Sequence, residues 1–115
     1  MKTIEALRGT HAYPVPLDFL KSLALKRGLD LEAEQTAEGM HAAAFIAGQA
    51  DILLFVSTAP NVSEGGQSYS FTAEERKQLR KRATSLYKLA GTVEEAEAIN
   101  AEDAEPTYGY KGSRL

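Results

Sequence analysis

Met40-His41-Ala42-Ala43-Ala44-Phe45-Ile46-Ala47-Gly48-Gln49-Ala50-Asp51-Ile52-Leu53-Leu54-Phe55-Val56 is the most apolar stretch of the chain, and its reading decides the fold. Two structures fit it. In one, a long buried helix covers about 36–57 and is apolar on most sides because it is surrounded. In the other, a helix ends near Gly48 and residues 52–56 form a buried strand. Periodicity does not separate the two for a short apolar run. A buried strand needs partner strands, and no other window holds five consecutive strongly apolar residues, which favours the helix. The stretch is shorter than the ~20 residues of a typical membrane span, and Asp51 at mid-membrane depth would be costly. The N-terminal residues lack the apolar core of a signal peptide, so the expected place of synthesis and residence is the cytoplasm.

A chain of 115 residues fits one domain. With 43% hydrophobic and 25% charged residues it has a globular composition, and a core this small would gain from oligomerisation. The net charge of −3 argues against a general nucleic-acid binder, which would be basic overall. The absence of cysteine removes any disulfide framework or thiol nucleophile.

On the N-terminal side, one or two helical turns are expected around Ile4 and Leu7. Pro14-Val15-Pro16 then favours extended backbone, with Pro16 in the first turn of a helix over about 16–27. Leu17, Leu20, Leu23 and Ala24 share a face of that helix. Phe19 and Leu25 lie off its centre and point to a second contact surface. Lys26-Arg27-Gly28 is a good helix ending, with cations at the negative end and glycine for the left-handed cap. Leu29 and Leu31 are expected to tuck a linker onto the core.

On the C-terminal side, Ala59-Pro60-Asn61 stops the central helix, and Glu64-Gly65-Gly66-Gln67 is turn chemistry between short alternating segments. A hairpin there would need support from helices or a neighbouring subunit. Thr72-Ala73-Glu74-Glu75 is a capping box, and Leu79, Ala83, Leu86 and Ala90 follow at helical spacing until Gly91. A second capping box, Thr92-Val93-Glu94-Glu95, opens a short acidic helix to about Asn100. The expected fold is therefore mainly α. It is a small bundle of about four helices over 1–100, a protruding loop or β-hairpin at about 60–71, and a flexible C-terminal tail over 101–115.

Catalytic chemistry is not signalled. Gly65-Gly66 lacks the following lysine and helix start of a phosphate loop. His11 and His41 form no helical ligand pair, and read as a loop residue and a partly exposed helix residue. The serines sit in no nucleophile elbow, and Glu74/Glu75 and Glu94/Glu95 are helix-start residues that favour the dipole. The expectation is a non-enzyme without cofactor or metal. Charge, by contrast, is segregated. Between Glu74 and Lys88 lie six basic and two acidic residues, a net of +4. From Thr92 to Leu115 there are six acidic residues and two basic ones, a net of −4. This is either a solvated face with a solubilising tail, or a contact in which one subunit's acidic end meets the next subunit's basic helix. Facing nucleic acid is a third use for the basic helix, through Arg76, Arg80 and Arg82.

Thr3-Ile4-Glu5-Ala6-Leu7-Arg8-Gly9 and Ala50-Asp51-Ile52-Leu53-Leu54-Phe55-Val56-Ser57-Thr58-Ala59-Pro60 come in an order that resembles phage and prophage head–tail connector (adaptor, head-completion) proteins. The glycine loop over 62–71 and the helix over 75–89 with its closing Gly91 continue the likeness, which is to small proteins of gut bacteria and their phages. The resemblance covers residues 1–91. It implies a virion structural protein whose copies form a ring under the portal, at the vertex through which DNA passes. It also favours the helical reading of the central segment. The implied partners are the chain itself and a portal or neck protein, first in the host cytoplasm and then in the virion neck. On that reading Glu64, Gly65, Gly66, Tyr69 and Phe71 dock on a neighbour or the portal. Arg76, Arg80 and Arg82 face a partner, and the tail with Tyr108 and Tyr110 orders on assembly. The readings outside that class are a small α/β binding or regulatory domain with residues 52–56 as its central strand, and a nucleic-acid-associated helical protein.

Overall fold

A computed structural model describes residues 1–64 and 67–103. Its elements are α1 (Thr3–Arg8), α2 (Leu17–Arg27), α3 (Ala37–Met40), α4 (Ala43–Thr58), β1 (Val62–Glu64), β2 (Gln67–Tyr69), α5 (Ala73–Leu89) and α6 (Val93–Asp103). The fold is mainly α. Four long helices are joined by two short ones and a two-stranded hairpin.

The central stretch is helical, so residues 52–56 are not a strand and the α/β alternative falls. Phe45, Ile46, Ala47, Ala50, Ile52, Leu53 and Val56 are all buried, because α4 runs through the middle of the molecule. It packs chiefly on α5, with α2, α1 and α3 on its other sides. A helix satisfies its own backbone groups, so an apolar run without partner strands can be buried in this form. The expected start near residue 36 divides in two. Thr36 Oγ1 accepts from the Gly39 N–H to cap α3, and Ala42 is extended before α4 begins. No residue of α3 is buried, so no packing holds that turn in line with α4.

Both glycine stops work as expected: Gly28 follows α2 with φ 72° and Gly91 follows α5 with φ 85°. Leu20, Leu23 and Ala24 are buried, whereas Leu17, at the start of the helix, stays 42% exposed. Phe19 turns toward Phe55, their ring centroids 4.4 Å apart, while Leu25 is 86% exposed and adds nothing to that surface. Leu29 and Leu31 pack on the core. The following segment runs beside the N-terminus, where Thr3 N–H donates to Ala33 O and Ile4 N–H to Leu31 O.

β1 and β2 pair antiparallel with Val62 opposite Tyr69 and Ser63 opposite Ser68. Val62 and Tyr69 pack against the core, while Ser63 and Ser68 are exposed, so the ribbon leaves the body from its base. The Thr72–Glu75 capping box forms reciprocally, with Thr72 N–H donating to Glu75 Oε1 and Glu75 N–H to Thr72 Oγ1. The second expected box does not form. Thr92 Oγ1 donates back to the Tyr87 carbonyl, and Glu95 is used elsewhere. Moreover, α6 runs to Asp103 rather than ending near Asn100, past the expected start of a tail at 101; residues 104–115 lie outside the described ones.

At Gly48, α4 comes close to leucines of its neighbours. A Cβ there would lie 3.3 Å from Leu23 Cδ1 and Leu29 Cδ1 and 3.4 Å from Leu7 Cδ2. Gly48→Ala should therefore be close to neutral in urea unfolding, the helix gain of about 1 kcal/mol offsetting the crowding. Gly48→Leu should destabilise by about 1–3 kcal/mol, since the three leucines cannot all move aside.

Candidate functional site

Asp51 is a carboxylate in the most apolar helix, and the molecule is arranged to satisfy it. Arg27, in the last turn of α2, donates from Nε to Asp51 Oδ2 and from Nη2 to Asp51 Oδ1, both at 2.8 Å. Tyr87, on α5 and 1% exposed, donates its hydroxyl to Asp51 Oδ1 at 2.5 Å. The same guanidinium reaches Glu95 on α6, from Nη1 at 2.9 Å and from Nη2 at 2.6 Å. Its Cζ lies 5.7 Å from the centre of the Tyr87 ring. One cation thus binds two carboxylates in bidentate fashion, the strongest geometry available to it.

The electrostatics follow from this packing. The hydrogen bonds that Arg27 donates to Asp51 and then to Glu95 raise its pKa, fixing its charge. Burial first, then the Asp51 carboxylate, raises the Tyr87 phenol, so it stays a donor. Arg27 holds the Glu95 carboxyl below its ordinary value. Beside the network is an open cleft of about 340 Å³, lined by Phe19, Leu23, Leu54 and Phe55, with Ser22, Lys26 and Thr58 also on its walls. Its polar groups near Asp51 are engaged with one another.

A second cluster fixes the hairpin. Arg76 Nη1 donates to Ser57 O at 3.1 Å and to Ala59 O at 2.6 Å, filling carbonyls at the C-terminal end of α4. A cation there also meets the negative end of the helix dipole. Arg76 Nη2 donates to Asn61 Oδ1 at 2.9 Å, and that oxygen also accepts from the Phe71 N–H. The Arg76 guanidinium lies 5.2 Å from the centre of the Phe71 ring. From the other side, Tyr13 donates its hydroxyl to Pro60 O and packs edge-on against Tyr69. The His11 ring rests on Phe71, its Nδ1 accepts from the Tyr13 N–H, and burial and then Arg82 lower its pKa.

The candidate interface residues therefore separate. Tyr69, Phe71 and Arg76 come together at the hairpin base, with Arg76 turned inward rather than toward a partner. Arg80 is partly buried, and Arg82 is exposed beside His11. The backbone of Glu64 ends β1, while Gly65, Gly66, Tyr108 and Tyr110 lie outside the described residues. Among the described residues no three His, Asp or Glu side chains gather as metal ligands, and no helix is long and apolar enough to cross a membrane.

Arg27, Asp51, Tyr87 and Glu95 are absent from the sequence-based candidates. The signal for Asp51 was present: a carboxylate in a buried apolar helix must be paired. Its partners lie 24, 36 and, through Arg27, 68 positions apart, and local spacing does not connect them.

Asp51→Ala should cost about 1–3 kcal/mol in chemical unfolding, because it leaves the buried Tyr87 hydroxyl without its acceptor and takes one of two carboxylates from the part-buried Arg27. Replacing both partners, Arg27→Met with Asp51→Leu, should cost less than that single change. Glu95 sets a pH dependence. Its folded-state pKa lies below its ordinary value of 4.5, so the stabilisation is complete above that pH and is lost as pH falls through the folded-state value. The urea midpoint should drop in that acidic window, and Glu95→Gln should flatten the drop while lowering the neutral-pH midpoint.

Neither the curated proteins nor the solved structures give a match to this chain. A family of unknown function, DUF6706, matches residues 1–107, nearly the whole chain, and the protein belongs to it.

Proposed function

We propose that this protein is a virion structural protein: a head–tail connector subunit that assembles as a ring at the portal vertex and catalyses no reaction. The observation that carries this reading is the hairpin. A two-stranded ribbon is held at its base by Arg76, Asn61 and Tyr13, while the exposed Ser63–Ser68 pair lies outside the body. A lone ribbon offers unpaired backbone along its edges, and such edges accept a strand from another chain. Anchoring the base limits the entropy lost when a partner engages the ribbon. The order of features along the chain, from the N-terminal turn through the apolar helix to the loop and basic helix, supports the same class.

In this reading the partners are further copies of the chain and a portal or neck protein, met in the host cytoplasm and retained in the virion neck. DNA passes close by without being read. The network at Arg27 serves rigidity, so that a ring of many copies keeps one geometry. A nucleic-acid-associated role for α5 is the second reading. It is weakened by Arg76, which is spent on the α4 carbonyls.

Electron microscopy of the purified protein, alone and co-expressed with portal proteins of the same genome, tests the proposal. Closed rings with an axial channel, or a stable complex with a portal ring, are expected. Ser63→Pro, which removes one edge donor outside the body, should reduce assembly while leaving the thermal unfolding midpoint nearly unchanged. A chain that forms neither rings nor a portal complex overturns the reading.

A further inference from the structure

We infer that the outer face of α5 docks on the acidic face of α6 from a second copy of this chain; the inference rests on the connector reading and supplies its ring with a subunit contact. The six cations between Glu74 and Lys88 do not share one environment. Arg76 is bound to the end of α4, and Arg80 is partly buried. Lys77, Lys81, Arg82 and Lys88 make no ion pair among the described residues, and Lys81, Arg82 and Lys88 are exposed. They extend along α5 for about 16 Å at ~1.5 Å per residue. The acids at the head of the helix are already used, Glu75 in the cap and Glu74 on Gln78. What remains is a basic strip without an ion pair among the described residues.

α6 supplies the complement. Ala96 and Ile99 are its buried face, while Glu94 and Glu97 are exposed and make no ion pair among the described residues. Its sequence adds Glu102 and Asp103 in the last turn. The one acid of α6 drawn inward is Glu95, bound to Arg27. That bond fixes the rotation of α6 about its own axis, and with it the outward position of Glu94 and Glu97. The link between the two helices is only Ala90, Gly91 and Thr92, so α6 folds back on α5 through its apolar face. The two charged faces therefore differ, and a contact between them is heterologous: it repeats head to tail and closes into a ring when the rotation allows.

Charge reversal in the full-length chain tests this, read by analytical ultracentrifugation across protein and salt concentration. One variant carries Lys77→Glu, Lys81→Glu and Arg82→Glu; the other carries Glu94→Lys and Glu97→Lys. Wild-type association should weaken between 0.1 and 1 M salt as the screening length falls from about 10 to about 3 Å. Each variant should associate about tenfold or more weakly than wild type, with unchanged circular dichroism. An equimolar mixture of the two should regain assembly, because each reversed face then meets its complement. That rescue is not available to variants that merely misfold. Wild-type association that neither salt nor reversal changes overturns the inference, as does a mixture that stays dissociated. Salt-sensitive binding of duplex DNA that the α5 variant loses, with no effect on association, assigns the strip to nucleic acid and also overturns it. The two proposals fail separately. Rings indifferent to reversal leave the connector standing without this contact, whereas reversible head-to-tail oligomers without rings or portal binding leave the contact without the connector.

Discussion

Arg27 is bound at once to Asp51 and Glu95, and the arrangement of the four long helices depends on it. α2 provides the guanidinium, α4 the inner carboxylate, α5 the phenol that completes it, and α6 the outer carboxylate. Apolar contact alone is non-directional, and α4 is apolar nearly all round. Such a helix could turn about its axis or slip by a residue with little loss of buried area. A buried carboxylate removes that freedom. Only one rotation of α4 points Asp51 at both Arg27 and Tyr87, and any other leaves its carboxylate buried without a partner. The net energy of the ion pair is modest once desolvation is counted. The cost of every misplaced alternative is large, and that difference makes one packing the ground state.

Most of the helical skeleton was legible because its signals are local. The Thr72–Glu75 box, the glycines at 28 and 91 and the stop at Pro60 each act within a few residues, and each lies at an observed boundary. The central segment was legible as a helix by elimination, for want of partner strands. Its start was not, since the break at His41–Ala42 depends on which residues the remainder of the molecule covers. Leu17 and Leu25 show the same limit. Helical spacing places them on a face, but the length and angle of neighbouring helices decide whether that face is covered.

The candidate site was less legible, for a related reason. Glu95 satisfies two rules at once: as the third residue of a helix it could close a capping box, and as a carboxylate it could pair with a distant cation. The local rule was visible and the distant one prevailed, because a bidentate bond to a buried guanidinium outweighs one to an exposed backbone amide. Arg76 repeats the pattern. It reads as one more cation in a basic run, yet planar multidentate donors suit the end of α4 and the side chain of Asn61. The two best-anchored arginines, Arg27 and Arg76, are therefore structural.

This sorting changes what the remaining charge means. Lysine heads are strongly hydrated and flexible, poor at fixing a fold and well suited to a contact that must form and release. With Arg76 and Glu95 drawn inward, the surface retains Lys77, Lys81, Arg82 and Lys88 on α5 and Glu94 and Glu97 on α6. A chain with a net charge of −3 has little need of such segregation for solubility, which mixed signs would serve equally well. Like charges gathered on one helix repel each other and weaken it. Two opposite strips on adjacent helices, neither ion-paired among the described residues, would relieve that repulsion if one copy met the next. The same inward bonds that give the fold its single packing thus leave the outer faces polarised, and polarised unlike faces favour head-to-tail association over a two-fold pair.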